Sequence, residues 1–105
     1  LLQHHRFLQH LPRGLCWLLQ HRRVREHLIG LKAGYYNTTG YSNTVLGQSA
    51  GYSNTIGSGN VFLGYQAGYY ETGSNKLYIA NSSTSSPLIY GDFGSNILTV
   101  NGNLA

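Results

Sequence analysis

Apolar residues in the last three-quarters of the chain come in short isolated triplets: Thr44-Val45-Leu46, Val61-Phe62-Leu63 and Leu77-Tyr78-Ile79. Each is rich in β-branched and aromatic residues and is bounded by Gly and Asn-Thr turn chemistry, which predicts short strands. Alternation along a strand puts Thr44, Val61 and Leu77 with Leu46, Leu63 and Ile79 on one face, and Val45, Phe62 and Tyr78 on the other. Both faces are apolar, so both need cover.

The triplets are phased by a repeat. Ala33-Gly34-Tyr35 recurs as Ala50-Gly51-Tyr52 and Ala67-Gly68-Tyr69, seventeen residues apart each time. The copies read LKAGYYNTTGYSNTVLG, QSAGYSNTIGSGNVFLG and YQAGYYETGSNKLYIA, the third one residue shorter beside Gly73. A helical-hairpin repeat needs roughly thirty residues and an i, i+3, i+4 pattern. The expectation is therefore an all-β, short-strand β-solenoid (a β-roll) with seventeen-residue coils, Gly supplying the positive-φ corners. Stacking equivalent coils predicts ladders: Tyr35, Tyr52 and Tyr69; Asn37 and Asn54, ended by Glu71; and Leu46, Leu63 and Ile79. The lumen covers one strand face. Covering the other predicts association, as a homotrimer, because Leu, Ile, Val and Phe total only 16 of residues 30–105.

Residues 81–105 change character. Asn81-Ser-Ser-Thr-Ser-Ser86 reads as a polar linker closed by Pro87. Leu88–Tyr90 and Ile97–Val100 read as a β-hairpin that caps the stack and protects its edge. The expected organisation is a basic segment 1–29, repeats 30–80, and linker plus cap 81–105.

Composition separates the first segment from the rest. Residues 1–29 hold five Arg, one Glu and all five His, with no Ser, Thr, Asn or Tyr, so their net charge is +4. Residues 30–105 balance Lys32 and Lys76 against Glu71 and Asp92. Leu11, Leu15, Leu18 and Leu19 have helical spacing, broken near Pro12-Arg13-Gly14. A cationic helix of this kind can lie on anionic membranes, and an Arg/His-rich stretch can bind nucleic acid. His4, His5, His10, Cys16, His21 and His27 match no zinc spacing. Another reading explains more. Leu1-Leu2-Gln3-His4 recurs as Leu18-Leu19-Gln20-His21, in phase with the tyrosines, and a back-translation read one base downstream gives YYNTTG from Leu1–Arg6 and YYNT from Leu18–His21. Residues 1–27 then read as two further repeats in a shifted frame, translated here as a helical or disordered basic segment that joins the coils near Gly30. The lack of an initiating Met carries the expectation of a piece of something longer.

At AGYYNTTGYSNTVLGQSAGYSNT and GSNKLYIANSSTSSPLIYGDF, residues 30–105 resemble the repetitive stalks of bacterial and phage tail-fibre-like proteins. NTVLG and NVFLG are also similar to the strand motif of trimeric autotransporter adhesin heads, although the repeat here is longer than is usual in them. The resemblance implies a trimeric, surface-exposed fibre of left-handed β-roll coils used for attachment. It also implies an extracellular, cell-surface or virion location and a host-surface or matrix receptor.

The chemistry points the same way. Glycoside hydrolysis needs paired carboxylates, and residues 30–105 hold only Glu71 and Asp92. They contain no His to activate a Ser or Thr, no Asp in each repeat for Ca²⁺, and no GxxxxGK[ST] phosphate loop. No catalytic, cofactor or metal site is expected, nor an apolar run long enough to span a membrane, nor nucleic acid as a partner. The expected role is a structural and adhesive fibre segment. An alternative is an ice- or glycan-binding solenoid using the Thr38, Thr55, Thr72 row or aromatic contacts at Tyr35, Tyr52 and Tyr69.

Overall fold

The computed structural model describes residues 26–104. They form an all-β chain with six strands in one sheet: β1 (His27–Ile29), β2 (Thr44–Leu46), β3 (Val61–Leu63), β4 (Lys76–Ile79), β5 (Ile89–Asp92) and β6 (Ile97–Val100). Strand order follows the chain from β1 to β6, and the sheet is open. The first four strands pair in parallel, whereas β4–β5 and β5–β6 are antiparallel. Parallel neighbours normally need a helical crossover. Here residues 30–43, 47–60 and 64–75 make the return as turns, and no helix occurs among the described residues.

Register keeps the repeat. Thr44, Val45 and Leu46 lie beside Val61, Phe62 and Leu63, which lie beside Leu77, Tyr78 and Ile79. The offset is still 17 where Asn54 meets Glu71, and is 16 where Ser58 meets Ser74. The missing residue is thus absorbed between Glu71 and Gly73, opposite Ile56, which is 66% exposed.

The repeating turns explain the Ala-Gly-Tyr motif. Val45, Phe62 and Tyr78 point inward and are buried, and Ala50 and Ala67 close over them with no exposed surface. Gly51 and Gly68 follow because a Cβ on either would stand 2.8 or 2.7 Å from the Phe62 ring. Small residues are therefore required where the turn crosses the aromatic side chain.

Two expectations change. The repeat array does not begin at Gly30 but takes in His27–Ile29, with His27 N donating to Asn43 O at 2.9 Å. Strand pairing uses the backbone, and the exposed His27 side chain does not oppose it. The corners are also not glycine throughout. Gly30, Gly47 and Gly64 take φ of 127°, 137° and 116°, but Lys32, Ser49 and Gln66 hold φ of 62°, 58° and 59°. That left-handed region is open to ordinary residues at modest cost, whereas φ beyond about 100° is essentially reserved for Gly. The helical or disordered basic segment up to residue 25, its leucine spacing, His4, His5, His10, Cys16 and His21, and all of the shifted-frame reading of residues 1–27 except its last two positions lie outside the described residues.

Candidate functional site

Two surfaces stand out: the outer face of the sheet and a column of tyrosines. Alternation that turns Val45, Phe62 and Tyr78 inward turns Leu46, Leu63 and Ile79 outward. Pairing continues that row in both directions, with Ile29 beside Leu46, Ile89 beside Ile79 and Val100 beside Ile89. Six strands thus contribute one aliphatic side chain each to an unbroken outer row, and a second row runs through Thr44, Val61 and Leu77, is interrupted at Gly91 and resumes at Leu98. Ile29 is 60% and Leu46 47% exposed, while Leu63, Ile79, Ile89 and Val100 are half-buried. The Leu46, Leu63, Ile79 ladder therefore lies on the outside of the single chain. A groove of about 740 Å³ opens along this face, lined among others by Leu63, Ile79, Ser82, Thr84 and Leu88.

The tyrosine column lies on the turns. Tyr35 and Tyr52 stack with centroids 5.1 Å apart and planes 10° from parallel; Tyr52 and Tyr69 stack at 4.7 Å and 3°. Tyr36 abuts Tyr52 edge-on at 5.3 Å, and Lys32 Nζ lies 5.6 Å from the Tyr35 centroid. Desolvation in this column pushes the Tyr52 phenol above its ordinary value, helped by the neighbouring Tyr36. Ring faces that a sugar would lie on are turned toward one another between Tyr35, Tyr52 and Tyr69. In the threonine row, Thr38 Oγ1 donates to Thr55 O at 3.1 Å, so that hydroxyl is engaged within the fold.

Amide side chains run between repeats. Asn37 Nδ2 donates to Asn54 O at 3.3 Å, and Asn54 Nδ2 to Glu71 O at 2.9 Å. Asn54 Oδ1 accepts from Gly57 N at 2.8 Å, and Glu71 Oε2 accepts from Gly73 N at 2.8 Å, so the carboxylate repeats the amide's role. Asn37 Oδ1 is buried without a partner. A second ladder, Asn43 and Asn60, escaped the sequence reading. Both are buried; Asn43 Oδ1 accepts from Asn60 N at 2.9 Å and Asn60 Oδ1 from Lys76 N at 2.8 Å. The visible signal was an Asn directly before both Thr44 and Val61, hidden by the general abundance of Asn.

Among the described residues four ionisable side chains meet in two pairs. Tyr78 donates to Glu71 Oε1 at 2.8 Å, and burial, with that bond second, pushes its phenol far above the ordinary value. Lys76 Nζ meets Asp92 Oδ2 at 3.3 Å, which holds the Asp92 carboxyl below its usual range and raises Lys76. Among the described residues no group of three or more His, Cys, Asp or Glu could hold a metal, and no helix is long and apolar enough to cross a membrane. No family model, curated protein or solved structure matches the chain.

Proposed function

We propose that this chain is a β-solenoid segment of a trimeric, surface-exposed fibre whose work is structural and adhesive. One observation carries the reading: Val45, Phe62 and Tyr78 on the inner face are buried within the chain, while the outward aliphatic row from Ile29 to Val100 stays half-buried to exposed. Among the described residues the buried hydrophobic core is Val45, Ala50, Phe62, Ala67 and Tyr78. A core that small does not by itself offset the ordering entropy of some eighty residues, and association is one of the usual remedies. Three copies joined along this face would bury the row and leave turns and tyrosines outward, where a host-surface or matrix receptor would meet them. The resemblance of residues 30–105 to tail-fibre stalks and adhesin heads favours an extracellular, cell-surface or virion setting and an attachment role rather than catalysis.

The test is mass in solution. At tens of micromolar, light scattering should give three times the chain mass, and Leu46→Asp with Leu63→Asp should reduce it to a single chain. A folded parent that runs as a monomer overturns the assembly.

A further inference from the structure

We infer that the β1 end of the sheet is an acceptor edge for one more copy of the chain's own seventeen-residue repeat, placed directly before His27 in the same polypeptide. The argument rests on what inner repeats exchange. Gly47 N, Ser49 N and Gly59 N donate back to Ile29 O, Leu31 O and Tyr41 O at 2.8, 2.9 and 3.1 Å. In the other direction Gly34 N and Tyr36 N donate to Ala50 O and Tyr52 O at 2.9 and 3.2 Å. The groups equivalent to these on the first repeat are the amides of Gly30, Lys32 and Ser42 and the carbonyls of Ala33 and Tyr35. None of the five has a partner among the described residues. They keep the corner geometry of the inner repeats, with φ of 127° at Gly30, 62° at Lys32 and 58° at Ser42. The edge is thus ordered for the bonds it lacks.

Side chains at this end are equally unfinished. Leu28 pairs with Val45, which pairs with Phe62, yet Leu28 is 39% exposed against 3% and 1% for the other two. The inward column is uncovered here and nowhere further along β2 to β4. The opposite end differs: β5 and β6 reverse direction, so a parallel repeat meets no matching register there. Charge disfavours an unrelated acidic or basic partner, since the edge groups are backbone amides and carbonyls in alternation. Synonymous codons exist for Leu18–His21 that, read one base downstream, give YYNT, whose first position falls in phase with Tyr35. A rung of this sequence would set a fourth tyrosine on the column.

The experiment replaces residues 10–26 of the full chain with a copy of residues 44–60, beside a control carrying the same seventeen residues scrambled. Amide exchange at Gly30, Lys32 and Ser42 should slow by roughly tenfold or more against the control, approaching Gly47, Ser49 and Gly59, because the newly paired groups then open only with a larger unit. The melting temperature should rise. Leu28→Ser should lower it further in the extended chain than in the control, as Leu28 is enclosed only in the former. Unchanged exchange at the three amides, an equal Leu28→Ser effect in both chains, or an extended chain that fails to fold where the control folds would each overturn the inference. Light scattering on the same samples separates this result from fibre assembly: slowed exchange in a monomeric chain supports the acceptor edge and counts against the trimer alone.

Discussion

Asn43 Oδ1 accepts the backbone amide of Asn60 at 2.9 Å, and Asn60 Oδ1 then accepts that of Lys76 at 2.8 Å. Each buried amide therefore satisfies the backbone N–H at the strand entry of the next repeat. Asn60 Nδ2 also donates to Gly73 O at 2.9 Å. Asn60→Ala leaves the half-buried Lys76 amide without its acceptor and takes from Gly73 O one of two donors, the other being Asn54 Nδ2 at 3.0 Å, and should cost about 1–3 kcal/mol. Asn81→Ala, at an exposed position, should cost almost nothing. Urea denaturation of the two variants side by side checks this.

The inner column is the second point of leverage. Phe62 is 1% exposed, touches Tyr78 edge-on at 5.5 Å, and lies against the backbone of Gly51 and Gly68. Phe62→Ala should lower stability by about 3–5 kcal/mol. Leu46→Ser, one strand away on the outer face, should leave the single chain folded and act on association instead. Circular dichroism melts and light scattering on both variants separate the two effects; equal thermal loss would show that the outer row is as enclosed as the inner one.

A third expectation concerns backbone shape. Gly47 holds φ of 137°, and its Cβ would stand 2.6 Å from the Gly64 carbonyl carbon. Gly47→Ala adds strain and a backbone clash, so a loss of about 2 kcal/mol or more is expected. Ser49, at φ 58°, already carries a side chain, and Ser49→Gly should be neutral or slightly stabilising in its folded geometry. Comparative melting of Gly47→Ala and Ser49→Gly tests the distinction between the two corners.

Alkali should unfold the chain through Tyr78. Its folded pKa is raised above the ordinary 10.0 by burial and by the bond to Glu71. The sign follows: the stabilising difference is fully present below pH 10.0, and is lost as pH rises from there through the folded value, because the unfolded phenol ionises first. Tyr78→Phe should be less stable at neutral pH, having lost its hydrogen bond, but should lose less on going above pH 10. Melting temperatures of parent and variant across that range should converge; parallel curves would remove Tyr78 as the cause.

Much of this architecture was legible in the amino-acid order. The triplets at Thr44, Val61 and Leu77 are strands, and the hairpin expected around residues 91–96 is present, with its first strand shifted to Ile89–Asp92. These signals are local: β-branched triplets between turn residues specify a strand whatever surrounds them. Less was legible at the surface. Tyr35, Tyr52 and Tyr69 share a column, as their equal spacing required of any in-register stack, but spacing says nothing of ring orientation, which turns their faces on one another. Asn43 and Asn60 were indistinguishable from the other asparagines, since burial is not written in residue type.

The sequence by itself determined the period, the strand positions and the division of each strand into two apolar sets, because repeat length and alternation are properties of neighbours along the chain. Only the tertiary structure decided which set faces inward. Alternation is unchanged when the two faces are exchanged. The choice falls on Val45, Phe62 and Tyr78 because Ala50, Ala67, Gly51 and Gly68 close over that side with room for an aromatic ring. The same closure left the aliphatic row from Ile29 to Val100 outside, and carried β1 back to His27, where backbone pairing with Asn43 outweighs a change in side-chain composition.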